Sequence, residues 1–184
     1  MNPEAFAHFK IARLAFQIMG VALESRLRYR FFSPMKILKG ADIRPGERIL
    51  EVGCGTGFYT RELSRLTGDQ GRVVAMDILR ISVERVHKRV RKWGLTNVCM
   101  VQGDAMRTGF VARSMDVVLL LGVIPAPMVP LNRLLPEMHR ILKPGGTMVV
   151  WPPIFVLPHL ILGSGLFTLD GKRNGVYHFR PMKA

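Results

Sequence analysis

The run Glu51-Val52-Gly53-Cys54-Gly55-Thr56-Gly57 places an acid two positions ahead of three alternate glycines. Glycines at that spacing let a backbone approach a ligand closely, and a helix starting after them offers unpaired N–H groups. The pattern is G-x-G-x-G, not G-x-G-x-x-G. The acid repels a pyrophosphate and attracts an amino group. Asp77 stands 20 residues beyond Gly57, where an acid accepts hydrogen bonds from two ribose hydroxyls. Gly103-Asp104-Ala105 adds a third acid, able to accept from an exocyclic adenine amine. Together these residues describe a pocket for a nucleoside that carries an amino group. Cys54 has no base placed to activate it and reads as a small packing residue. Asp116 reads as a holder of backbone or basic side chains.

Such a pocket needs strands that end at its acids and helices that start behind its glycines. From Arg48 the chain alternates accordingly. Residues 48–53, 72–77, 97–102, 115–122 and 147–151 read as strands, and 57–66, 82–93 and 130–142 as helices. Residues 115–122 are apolar without alternation, which marks a strand buried on both faces. A short helix and two strands follow, joined at Lys172-Arg173-Asn174-Gly175, a hairpin turn signal. This order predicts an α/β, Rossmann-like sheet with helices on both faces and an antiparallel edge.

The segments EVGCGTGFY, VVAMD, VQGDA, MDVVLLLG and LKPGGTMVV, in this order, resemble the class I S-adenosylmethionine (SAM)-dependent methyltransferases, from about Ile43 to the C-terminus. The resemblance implies a seven-stranded, mostly parallel sheet whose last strand is antiparallel, and SAM as cofactor. At matching positions Glu51, Gly53, Gly55 and Gly57 would hold the methionine end. Asp77 would bind the ribose, with Ile78 against the adenine. Asp104 would face the adenine amine beside Ala105, and Leu121 would lie near the sulfonium. Within the class the chain looks most like the compact quinone- and phospholipid-type enzymes. The arsenite type is similar too, but uses more cysteines than the two present here.

The substrate side should lie at the carboxyl ends of the fourth and fifth strands. Residues 122–130 there are apolar and contain three prolines, unlike the Asn-Pro-Pro-Tyr loops that similar enzymes use for amino groups. Ile124, Pro125, Trp151 and His159 are the substrate-side candidates, and their surroundings suit a hydrophobic or amphipathic small molecule such as a lipid or quinone. A sulfonium carries its own leaving group, so no catalytic base is named; catalysis would rest on in-line positioning.

Lys plus Arg number 27 against 13 Asp plus Glu, a net charge of +14. Such a chain suits phosphates, anionic membranes or simple solubility. Arg80, Arg85, Lys88, Arg89, Arg91 and Lys92 concentrate on the second helix, opposed by Glu84. Exposed aromatics interleave with them thinly, which weighs against nucleic acid. Two isolated cysteines point to a reducing compartment. The uncharged stretch between Lys143 and Asp170 is cut by prolines and glycines, so it reads as strand, short helix and turns, not a membrane span. Residues 3–32 form an expected amphipathic helix that would meet the domain's own core, a second copy in a homodimer, or an anionic membrane surface.

The expected organisation is a helical extension over residues 1–40 and a SAM-binding domain over 41–184. The expected function is methyl transfer from SAM to a hydrophobic small molecule, in the cytoplasm or on the inner face of a membrane. The alternatives are an RNA methyltransferase gripping phosphates with the basic helix, and a non-catalytic SAM-binding subunit. No metal site is expected.

Overall fold

The computed structural model describes residues 33–123, 129–152 and 154–183. From Pro34 onward the chain forms one compact unit. Its elements are α1 (Pro34–Ala41), β1 (Arg48–Val52), α2 (Thr60–Thr67), β2 (Arg72–Asp77), α3 (Arg80–Lys92), β3 (Val98–Gln102), β4 (Met115–Leu121), α4 (Leu131–Ile141), β5 (Leu142–Trp151), α5 (Val156–Leu162), β6 (Phe167–Arg173) and β7 (Val176–Pro181). The expected helix over residues 3–32 lies outside the described residues.

The seven strands form one sheet in the order β3-β2-β1-β4-β5-β7-β6. The first five run parallel, and β7 pairs antiparallel with both β5 and β6. This is the mostly parallel sheet with an antiparallel closing strand expected from sequence. Asn174 and Gly175 close the hairpin at φ 46° and 79°, the conformation that an Asn-Gly pair adopts most readily.

Residue alternation along the strands divides the core. Leu50, Val74, Val118, Leu120, Met148 and Val150 face α4 and α5, packing with Leu134, Met138, Leu157 and Ile161. Ile49, Val73, Val117, Leu119 and Val149 face α1 and α2, packing with Ile37, Leu38 and Leu63. Ala75 meets Val86 and Val90 of α3. Both faces are covered, so the strands are continuous apolar runs. The uncharged stretch after Lys143 becomes β5, α5 and the start of β6. No helix among the described residues is long and apolar enough to cross a membrane.

Several boundaries differ from the sequence reading, two of them by more than two residues. Helix α2 starts at Thr60 instead of residue 57, because Gly53, Gly55 and Gly57 have φ of 66°, 53° and 78° and hold the chain in a turn. Strand β5 starts at Leu142 and takes in the Pro-Gly-Gly expected as a stop, with an irregularity opposite Met115 and Val117. Helix α1 falls ahead of the boundary drawn at residue 41, yet Ile37, Leu38 and Ala41 pack into the sheet core. Gly40 is its point of closest approach: an added Cβ would lie 2.5 Å from the Arg173 carbonyl oxygen. Beside it the buried His178 contacts the Gly40 carbonyl through Nε2 at 2.6 Å and the Arg173 guanidinium through Nδ1 at 3.2 Å. Burial holds the His178 pKa below its ordinary value, so Nε2–H donates and Nδ1 accepts.

A buried polar knot ties the end of α2 to the start of β3. The Asn97 amide donates to the carbonyls of Ser64 and Gly68, each at 2.9 Å, and accepts from the Ser64 hydroxyl at 2.5 Å. Asn97→Ala leaves two carbonyls and a hydroxyl without this partner in a buried place. The expected loss of stability is about 2–4 kcal/mol, read as a lower denaturation midpoint at unchanged slope.

Candidate functional site

Strands β1 and β4 lie where the strand order reverses, and ligands of open α/β sheets bind in the crevice outside the carboxyl ends at such a point. The glycine turn follows β1 there. Cys54 N–H donates to the Met76 carbonyl at 2.9 Å, and Gly57 N–H to the Cys54 carbonyl at 2.8 Å. The cradle has no room for side chains: a Cβ at Gly53 would lie 2.9 Å from Val123 Cγ2, and one at Gly57 3.1 Å from Val86 Cγ1. Arg89, one of the basic residues concentrated on α3, reaches from there to the Thr56 carbonyl and clasps the turn from behind. Nothing in the sequence marks this arginine apart from its neighbours.

Glu51 is the most constrained acid. It shares the face of Ile49, where α2 begins, and is 2% exposed. Its Oε2 accepts from the Thr60 hydroxyl at 2.6 Å, while its buried Oε1 has no hydrogen-bond partner among the described residues. Burial, with a lesser contribution from Asp77, pushes its pKa up to about 8. Asp77 ends β2. Its Oδ2 accepts from Gly55 N–H at 2.8 Å and its Oδ1 from Leu79 N–H at 2.9 Å. Each oxygen keeps a further lone pair for a ligand. Burial raises the Asp77 pKa and these amides pull it back. Ile78 follows at 63% exposed, an apolar side chain standing free beside the acids.

The neighbouring strand end supplies Asp104 and Ala105. Gly103 N–H donates to the Asp77 carbonyl at 3.1 Å, which brings the two strand-end acids to one edge. Asp104 Oδ1 accepts from Met106 N–H at 2.8 Å in a local turn. Ala105 is half-buried against the core. Leu121 is buried at the end of β4 and pairs in register with Trp151 at the end of β5. Trp151 is half-buried against the α1–α2 side. Of the other substrate-side candidates, Ile124 and Pro125 lie outside the described residues. His159 is exposed on α5, its ring 5.8 Å from that of Phe155. The structure thus brings Glu51, the three glycines, Asp77, Ile78, Asp104, Ala105 and Leu121 to one edge and sets His159 on an outer surface.

Burial pushes the Cys54 thiol far up, so it packs and does not attack. Asp116 accepts from Arg48 N–H at 2.9 Å and from Lys143 at 2.7 Å. It belongs to a polar cleft of about 170 Å³ at the opposite, amino end of the strands. There the charges pair among themselves, Arg173 and Arg180 both meeting Asp170. No group of three or more His, Cys, Asp or Glu able to hold a metal occurs among the described residues.

The residues fit SAM on the structure's own terms. A sealed carboxyl oxygen without a partner suits an ammonium, and a side-chain-free turn suits a ligand pressed against backbone. Without a ligand cation, Glu51 remains protonated near neutrality in the fold and ionises in the unfolded chain, whose value is 4.5. Stability therefore falls as pH rises from about 4.5 to 8. Glu51→Gln removes this dependence. Its melting temperature should exceed the parent's by a few degrees at pH 8 and by progressively less toward pH 5, where about 2–4 °C corresponds to 1 kcal/mol.

A family profile for the methyltransferase domain matches residues 49–146. The chain is 32% identical over 116 residues to a demethylmenaquinone methyltransferase of Geobacillus stearothermophilus, covering 61% of this chain and 48% of that protein. It is 35% identical over 117 residues to the Staphylococcus aureus (strain JH9) protein of the same name, covering 62% and 46%. It thus spans about half the length of the curated relatives it matches. A SAM-dependent methyltransferase of Aquifex aeolicus superposes with a TM-score of 0.72 at 22% identity, over 90% of this chain and 97% of that one, a likeness of fold. With its profile match spanning more than half of its residues, the chain belongs to the methyltransferase domain family.

Proposed function

We propose that the protein transfers a methyl group from SAM to a hydrophobic, quinone-like small molecule at the inner face of a membrane. The observation that carries this reading is the buried Glu51 carboxyl beneath the glycine turn, its Oε1 lacking a partner, beside the strand-end acid Asp77. The relatives' names support the acceptor class, as does the apolar character of the chain after β4 and β5.

When bound, SAM supplies the methyl group and its own leaving group. The chain's residues do the rest. Glu51, ionised by the ligand's ammonium, holds the amino-acid end. Asp77 takes the ribose hydroxyls while its amide partners fix the turn. Ile78 and Ala105 flank the base, and Asp104 faces its exocyclic amine. Leu121 and Trp151 cap the strand ends and keep water from the reacting side. Positioning of this kind supplies on the order of 7–11 kcal/mol of rate acceleration. A base is required only where the acceptor's proton must leave.

Asp77→Ala should weaken S-adenosylhomocysteine binding by about 1–3 kcal/mol, the scale of lost hydrogen bonds to a carboxylate. Unchanged calorimetric affinity would remove Asp77 from the site. The activity itself is tested with the isolated chain, methyl-labelled SAM and a demethylated quinone in detergent. Label should pass to the lipid phase with matching release of S-adenosylhomocysteine. Binding of S-adenosylhomocysteine without any turnover would favour a non-catalytic subunit, and label appearing in added RNA would redirect the acceptor to nucleic acid.

A further inference from the structure

Helix α5 begins where β5 ends, beside Trp151, and is apolar apart from His159. Leu157, Pro158 and Ile161 face the core. Among the described residues the other side is exposed: Phe155 is 83% exposed and Leu160 49%, with Ile154, Val156 and Leu162 also exposed. Among the described residues these five are half of the ten exposed large apolar side chains, gathered within nine positions. A helix this apolar normally lies in a core or in lipid.

The chemistry around the patch says what covers it. No Lys, Arg, Asp or Glu occurs between Lys143 and Asp170, so His159, whose ring lies 5.8 Å from that of Phe155, is the one titratable side chain the helix brings to an apolar phase. Met182 is also exposed, and its N–H bonds the Leu166 carbonyl at 2.9 Å in the turn after α5. Lys183 follows it, an exposed cation at the rim. A second copy is disfavoured, because each carries a net charge of +14 and the two repel. The same charge is complementary to anionic lipid, where each basic residue near the surface adds attraction.

We propose that the outer face of α5, with Met182 and Lys183, is a membrane-docking lip that rests the substrate side of the domain against an anionic lipid surface. The proposal rests on the reading of the site as one for an apolar acceptor. It explains how such an acceptor reaches the ends of β4 and β5: the lip lies in the interface, where the acceptor is dissolved, so it need not cross water.

The test uses the full chain, vesicles of equal parts phosphatidylglycerol and phosphatidylcholine, and phosphatidylcholine alone as the neutral control. The parent should float with the anionic vesicles. The double variant Phe155→Glu/Leu160→Glu should lose bound fraction by about tenfold or more, since two apolar groups are replaced by charges. Phe155→Leu/Leu160→Met should float like the parent. S-adenosylhomocysteine calorimetry on each variant should give the parent's affinity, which shows a folded site and reports separately on the proposed methyl-donor reading. Equal flotation of the charged variant overturns the proposal, as does flotation abolished only by deleting residues 1–32. A parent dimer that the charged variant converts to monomer, with flotation unchanged, would assign the patch to a second copy instead.

Discussion

A carboxyl group sealed inside a parallel sheet is costly, and Glu51 is held there by the geometry around it. It sits on β1, flanked in register by Ala75 and Leu119, so both neighbouring strands deny it water. Thr60 satisfies one oxygen. The other is unmatched, and Asp77 nearby adds repulsion to burial. Such a group gives up stability in the empty protein and recovers it only when a cation arrives. The glycine turn, the Arg89 clasp behind it and the Asp77 bonds to Gly55 and Leu79 all keep this arrangement from relaxing. In the proposed reading, binding strength would be stored in this mismatch.

Much of this was legible in the residues. Strands buried on both faces write themselves as apolar runs, and β2 and β4 appear that way most plainly. Asn174-Gly175 announces its turn because both residues tolerate positive φ. The site acids are legible because each falls at a strand end, a position that the alternation of strands and helices locates. What sequence concealed depends on partners distant in the chain. Asn97 looks like one more residue before a strand until the carbonyls of Ser64 and Gly68 converge on it, and Arg89 looks like solvated charge until it meets Thr56. Helix α1 carries its own signal, Pro34 in a first turn followed by Ile37, Leu38 and Ala41. The longer apolar pattern upstream masks it, because the two run together as one extension.

The two faces of the sheet divide the labour. Helices α2 and α3 lie on the side of Glu51 and Asp77 and brace the nucleoside pocket. Helices α4 and α5 cover the other side, and α5 leads away from the end of β5, where an acceptor would arrive. In the proposed reading one face would serve the donor and one margin the acceptor, because the crevice lies between β1 and β4 where the strand order reverses.

The His178 bridge to Gly40 spans 138 positions of chain. During synthesis α1 leaves the ribosome long before the hairpin that anchors it. At typical elongation rates of roughly 5–20 residues per second the delay is about 7–28 seconds. Throughout that interval Ile37 and Leu38 have no finished surface to bury against, and closing so wide a loop is intrinsically slow. The β6–β7 hairpin therefore acts as the latch of the first described helix, and a nascent chain stalled short of it would present that helix to chaperones.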